Sequence, residues 1–274
     1  MLSEPRLGGT ATDIAVRGGA IRVETLGSGP PLLLLHGWTL DRRMWLPQVH
    51  DLAAQYRVIA IDRRGFGQSS APPDLTEESA DLLAIADTLG LDRFALAGMS
   101  QGARIALAFA AEHPERLSAL IVQGAPLSGV PGGDGDLPIN QMAVLAVAGE
   151  LPTLRYLWRH HPLMQVDGLP ANAIVDHIVA EYAARDLAAP AHPFEFGEGD
   201  LARIVTPTLV LTGAKEPAWR HRVAGVIARA LGAERIDIAG AGHLANLDQP
   251  ELYNRALARF LAECGRALPA SRIN

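Results

Sequence analysis

In "LAGMSQGARIALAF" (Leu96 to Phe109) a serine stands between two glycines, where an apolar, strand-like run gives way to an alanine-rich, helix-like one. Gly98-Met99-Ser100-Gln101-Gly102 fits the Gly-x-Ser-x-Gly spacing in which a sharp strand-to-helix turn lifts a hydroxyl clear of the backbone. Helix and strand ends meet closely at such a turn, so side chains at 98 and 102 would collide. Amides at the helix N-terminus also favour developing negative charge there. An N-cap serine, the plainer reading, needs neither glycine.

A serine hydroxyl is a weak nucleophile until a base takes its proton, and that base needs a carboxylate to orient it. Of the nine histidines, His113 falls at a helix end, His50 on a helix surface, and His160, His161, His177 and His192 in a later helical region. His243 lies in "AGAGHLANLDQPE", a loop of small residues between the last strand and the last helix, from which an imidazole can reach the turn. The acid is expected between serine and histidine in chain order. Glu216 follows the strand-like "LVLTG" directly and fits that place; the alternative for it is a loop charge pairing with Lys215. Asp237 sits inside a strand pattern, and Asp134 and Asp136 in a glycine-rich loop are held in reserve.

The elements that must position these groups alternate between strand and helix. "TDIAV" and "AIRVETL" read as a hairpin, and "PLLLLHG", "RVIAID", "RFALAGM" and "LSALIVQG" as buried strands. Asp41 opens a helix to about Gln55, Thr76 caps the next, and Pro114 stops the one after the serine. The alternation lapses between about Ala125 and Asp200, where helical segments run through "QMAVLAVAGELPTLRYLW", broken at Pro152, and "ANAIVDHIVAEYAARDLA". It resumes with "PTLVLTG", a helix near Arg220 to Leu231, "ERIDIAG" and a closing helix from Gln249 or Pro250 to about Glu263. Repeated βα units predict an α/β, mostly parallel, doubly wound sheet with helices on both faces. The expected organisation is a core of residues 1–125 and 201–274, with 126–200 a small helical cap over the carboxyl ends of the strands, where such sheets keep their sites.

Composition narrows the function classes. The chain of 274 residues is 49% hydrophobic, carries a net charge of −6, and has no lysine- or arginine-rich run, so nucleic acid is not an expected partner. No apolar run reaches membrane-spanning length and the first residues lack a signal-peptide pattern, so the expected setting is the reducing cytoplasm, away from membranes. The single cysteine, Cys264, reads as a small packed side chain. No metal-ligand spacing occurs, and "GFGQSS" is followed by prolines instead of the helix a dinucleotide fingerprint requires, so no cofactor is expected. Arg63 and Arg64 resemble a carboxylate clamp, but a solvated or structural role fits that loop better.

The ordered set "LLLLHGW", "DRRGFGQS", "GMSQG", "LVLTGAKEP" and "GHLANLDQPE" resembles the α/β-hydrolase family over nearly the whole chain. "YRVIAIDRRGFGQSS" is similar to cofactor-free haloperoxidase-like arylesterases, and "HGWTLDRRMW" to enol-lactonases. The resemblance implies eight strands with a cap after the sixth, and an oxyanion hole from the amides of Trp38 and Gln101. It also implies a structural His36 and a Gly37 that lets the backbone approach the substrate. Where the family most often has aspartate as the acid, this chain has Glu216. Dehalogenases and epoxide hydrolases of the family carry aspartate at the apex, where this chain has serine. The implied activity is hydrolysis of a small, largely apolar carboxylic ester or lactone through an acyl-enzyme with Ser100, His243 and Glu216. Carbon–carbon hydrolysis or a lyase reaction with the same residues, or ligand-binding signalling, stay open. Trp38 and Met99 are expected to flank the site, with Trp158, Leu163, Phe194 and Phe196 lining the cap.

Overall fold

The computed structural model describes residues 5–133, 137–190 and 194–267. Its strands are β1 (Thr10–Val16), β2 (Gly19–Leu26), β3 (Pro31–Leu35), β4 (Arg57–Ile61), β5 (Phe94–Met99), β6 (Leu117–Gln123), β7 (Thr208–Gly213) and β8 (Glu234–Ile238). They form one eight-stranded sheet in the order β1-β2-β4-β3-β5-β6-β7-β8. The β1–β2 hairpin joins antiparallel to β4, and every pairing from β4 to β8 is parallel.

Strand periodicity explains why the central runs are apolar throughout. Leu32, Leu34, Val58, Ala60, Ala95 and Ala97 enter one core cluster. Their neighbours Leu33, Leu35, Ile59, Ile61, Phe94 and Leu96 enter the other. Successive side chains point to opposite faces, and helices cover both. On the first face lie α1 (Leu46–Leu52) and the closing α10 (Pro250–Ala267); on the second lie α2 (Glu78–Thr88), α3 (Gln101–Glu112) and α8 (Ala218–Leu231).

Two helix starts differ from the sequence expectation. The helix opened by Asp41 begins as a 3-10 turn over Arg42–Trp45, and α1 follows only at Leu46, because Pro47 offers no N–H to a continuous α-helical ladder. Before α2 the cap is Asp74 in place of Thr76: the Asp74 carboxylate accepts from the Thr76 amide at 3.0 Å and from its hydroxyl at 2.7 Å.

Between β6 and β7 the chain leaves the sheet. This insert holds α4 (Ile139–Val147), α5 (Leu151–Arg159), α6 (Leu169–Glu181) and the short α7 (Arg185–Ala188). The break between α4 and α5 comes at Ala148–Glu150, with Gly149 left-handed at φ 75° and Pro152 in the first turn of α5. Leu154, Trp158, Ile174, Val175 and Ile178 are buried and continue the first core cluster. The short α9 (Ala245–Asp248) links the loop after β8 to α10.

Candidate active site

The β5–α3 turn is built as the glycines demand. A Cβ at Gly98 would strike the carbonyl of Gly102, and one at Gly102 would strike the carbonyls of His36 and Leu35. Between them Ser100 takes φ 53° and ψ −119°, a backbone conformation that L-residues rarely adopt and that costs about 1–3 kcal/mol. The turn is held by the Ser100 amide donating to the Gln123 carbonyl at 2.8 Å and by the Ala103 amide donating back to the Ser100 carbonyl at 2.9 Å. The amides of Gln101 and Gly102, ahead of Ala103, come too early in the helix to reach an intrahelical acceptor.

Glu216 and His243 come from loops that follow β7 and β8, neighbouring strands. Gly213 lets the two loops meet, since a Cβ there would lie within 2.7 Å of the Ala241 carbonyl. The Lys215 amide donates to that same carbonyl at 2.8 Å. The result is a 2.8 Å hydrogen bond between His243 Nδ1 and Glu216 Oε1, both buried. Lys215 itself turns out to Asp167, so it does not neutralise Glu216. Asp237 pairs with Arg235 on the surface. Asp134, Asp136 and His192 lie outside the described residues.

Two neighbours absent from the sequence reading complete this pair. Arg220, buried on α8, lies 3.5 Å from Glu216 Oε2 and also donates to the Gly124 carbonyl. The Gln123 side chain donates to the His243 carbonyl at 2.6 Å. Burial pushes the Glu216 carboxyl up, but His243 and the Arg220 guanidinium outweigh it and hold the group below the usual carboxylate range. Glu216 is therefore a buried carboxylate fixed in its charged form.

Ser100 and His243 open on one cavity of about 380 Å³. No hydrogen bond joins Ser100 Oγ to the imidazole, and Nε2 of His243 has no protein partner among the described residues. Trp38, Met99, Trp158 and Leu163 line this cavity, together with Leu137, Ile139 and Leu187 from the insert. Phe194 and Phe196, expected beside them, do not. Phe196 is buried in the core cluster on the α3 side of the sheet, and Phe194 packs against that cluster beneath the Arg104 guanidinium. The chain is already returning to the sheet there, and aromatic bulk is used for packing.

The loop after β3 forms the opposite wall. The Trp38 amide makes no hydrogen bond to a protein group among the described residues. Thr39 is left-handed at φ 63°; its hydroxyl donates to the Trp38 carbonyl at 2.6 Å and accepts from the Trp158 indole at 2.5 Å. The Trp38 indole donates to Asp186 of α7 at 2.6 Å, and Tyr182 donates to the other oxygen of the same carboxylate at 2.7 Å. Gly37 lies against Met99 and Ser100, where a side chain would not fit. Arg63 and Arg64 are buried ion-pair partners of Glu78 and Asp81, so of the two roles expected for that loop theirs is structural and not solvated.

Among the described residues no group of three or more His, Cys, Asp or Glu side chains is placed to hold a metal, and no helix is long and apolar enough to cross a membrane.

A sequence model of the alpha/beta hydrolase fold matches residues 30–141, from β3 through the nucleophile-like turn into the insert. The chain has the α/β-hydrolase fold. It is 28% identical over 248 residues to the carboxylesterase YbfK of Bacillus subtilis, spanning 86% of this chain and 81% of that protein. The crystal structure of that carboxylesterase superposes with a TM-score of 0.76 at 24% identity, covering 93% of this chain and 92% of that one. The enol-lactonase from Burkholderia xenovorans LB400 shares the fold with a TM-score of 0.77 at 22% identity, over 92% of this chain and 100% of that one.

Proposed function

We propose that this protein of the α/β-hydrolase fold cleaves a small, largely apolar carboxylic ester or lactone through an acyl-enzyme on Ser100. The observation that carries the reading is the buried 2.8 Å His243–Glu216 pair, whose free Nε2 side shares a cavity with a serine held at φ 53°. Similarity to a carboxylesterase over most of both chains supports the same chemistry.

In the first half-reaction His243 Nε2 takes the Ser100 proton as Oγ attacks the carbonyl carbon. The tetrahedral oxyanion is received by the amides of Gln101 and Trp38, each worth about 3–4 kcal/mol of barrier. Collapse breaks the bond to the leaving oxygen, which departs with the proton from His243. Water then attacks the acyl-enzyme, giving its proton to His243 and releasing the acid and free serine. Glu216 fixes the tautomer with the proton on Nδ1 and offsets the charge on the transient imidazolium. The insert of residues 126–200 serves as the cap, excluding water with Leu137, Ile139, Trp158 and Leu187.

The test is Ser100→Ala assayed on a chromogenic short-chain ester, beside labelling of the unaltered protein with an organophosphonate. Ser100→Ala is expected to lose at least about 10³-fold in turnover, and the phosphonate to modify Ser100 alone. Unchanged turnover, or an unmodified Ser100 in folded protein, overturns the reading.

A further inference from the structure

Arg104 differs from the fully buried arginines of the molecule. The buried arginines 42, 43, 63, 64 and 220 each pair with a carboxylate. Arg104 is half-buried in the first turn of α3, lines the cavity that holds Ser100, and has no carboxylate partner among the described residues. Its Nη2 donates to the Phe194 carbonyl at 2.6 Å and to the Ser128 hydroxyl at 3.5 Å, and the guanidinium lies 5.0 Å from the centre of the Phe194 ring. Nε is buried without a hydrogen-bond partner, and Nη1 makes no hydrogen bond to a described residue. The two contacts through Nη2 lock the guanidinium plane and leave Nη1 without a protein partner among the described residues. Among the described residues no Asp or Glu lines the cavity, and apart from Ser100, Gln101, His243 and the paired Arg220 its remaining described walls are largely apolar.

A cation fixed in an apolar cavity costs desolvation unless an anion offsets it. Burial alone pushes the Arg104 pKa below its ordinary value, with no acid acting in the other direction. The Nη1 donors of the guanidinium suit a carboxylate, because a charge-assisted hydrogen bond is stronger than a neutral one. Four residues at about 1.5 Å each put Arg104 about 6 Å along the helix from Ser100. A ligand spanning both must carry its acid group a few bonds from the reacting carbonyl.

We infer that Arg104 is a carboxylate-binding subsite and that the substrates are anionic: half-esters or lactones bearing a second, free carboxylate. The inference rests on the ester-hydrolase reading of Ser100 and narrows its substrate class. The Phe194 anchor is compatible with it, because a guanidinium held on one edge is preorganised on the others.

The experiment pairs charged and neutral esters of one skeleton, monomethyl and dimethyl succinate, glutarate and adipate, on the full chain. The unaltered protein is expected to favour at least one half-ester over its diester by 10-fold or more in kcat/KM. Arg104→Gln is expected to cut that ratio at least 10-fold, chiefly through KM, and Arg104→Lys to keep part of it. A ratio at or below one in the unaltered protein, or one unchanged by Arg104→Gln, overturns the subsite. Binding is read apart from turnover: glutarate titrated calorimetrically into Ser100→Ala protein is expected to bind, and adding Arg104→Gln to weaken it 10-fold or more. Absence of glutarate, succinate and adipate binding to folded Ser100→Ala protein also overturns the subsite, whether or not any ester is cleaved. Hydrolysis of diesters without preference for half-esters leaves the serine reading standing and removes this one. Carboxylate binding that depends on Arg104, without phosphonate labelling of Ser100, does the reverse.

Discussion

His36 and His243 stand at the carboxyl ends of β3 and β8, and each is buried near a glutamate–arginine pair, Glu78–Arg63 for one and Glu216–Arg220 for the other. The connectivity differs. At His36 the backbone takes both ring nitrogens: Nδ1 donates to the Gly37 carbonyl at 2.7 Å, and Nε2 accepts from the Arg63 amide at 2.9 Å. Glu78 spends its oxygens on Arg63 and never reaches the ring. Burial, reinforced by the Arg63 cation, lowers the His36 pKa to about 3. His243 instead gives Nδ1 to the carboxylate itself and keeps Nε2 for the cavity. The same three residue types thus make a neutral peg in one loop and, in the other, the His243–Glu216 pair to which the proposed mechanism gives the role of base. What separates them is whether the carboxylate touches the imidazole, and whether the second nitrogen is spent.

The largest expected effects break this contrast from the active side. His243→Ala is expected to lower kcat/KM by about 10⁴-fold or more, and Glu216→Gln by about 10³–10⁴-fold through the wrong tautomer. Thermal melting should stay close to that of the unaltered protein for His243→Ala, whose ring borders the cavity. His36→Ala should do the opposite. It leaves the buried Arg63 amide without its acceptor, costing roughly 2–4 kcal/mol of stability in denaturant unfolding. Normal stability for His36→Ala with lost turnover would place the chemistry at the wrong histidine.

Acid sharpens the same comparison. The folded-state pKa of His36 is lowered from 6.5 to about 3, so the unfolded chain binds the extra proton between those values. Stability attributable to His36 is therefore full above pH 6.5 and falls by about 1.4 kcal/mol per pH unit below it, until the folded pKa is reached. Glu216 acts in a lower window: its depressed pKa contributes stability above the unfolded carboxylate value, lost as pH falls through the folded one. Denaturant unfolding at pH 7, 6 and 5 should show the His36 slope before Glu216 contributes. Replacing His36 with glutamine should flatten it, and an unaltered slope would reassign the acid sensitivity to other groups.

These comparisons also separate what is legible in one dimension from what is not. The sheet is legible because period-2 burial on two covered faces leaves continuous apolar runs such as "PLLLL" and "RVIAI". Ser100, Glu216 and His243 are legible as candidates because each sits in a loop that directly follows a strand pattern. Gln123, Arg220, Arg104 and Asp186 are not. Gln123 lies 120 positions from His243 and Trp38 148 from Asp186, and no local spacing announces such contacts; Arg220 stands four residues after Glu216, but that spacing shows a shared role only once Glu216 is seen to be buried against His243. Phe194 and Phe196 lie away from the cavity for a related reason. Aromatic character marks burial, but the register of the returning chain decides which side of the sheet it is buried on.

The smallest expected effect concerns the loop the two walls share. His36 pins the loop after β3 from within the core, while Asp186 pins Trp38, two residues on, from the insert. Asp186→Asn can still accept from the Trp38 indole and donate to the Tyr182 oxygen, so it should leave kcat/KM within about twofold. Asp186→Ala removes the acceptor for both donors. One lost hydrogen bond is worth about 0.5–1.5 kcal/mol, which corresponds to about a 2- to 13-fold fall in kcat/KM if Trp38 presents its amide to the oxyanion. Because the loop is still held by His36, the melting temperature should move far less than for His36→Ala. Equal losses of turnover for the asparagine and alanine variants would mean that negative charge at Asp186, not its grip on Trp38, is what the site uses.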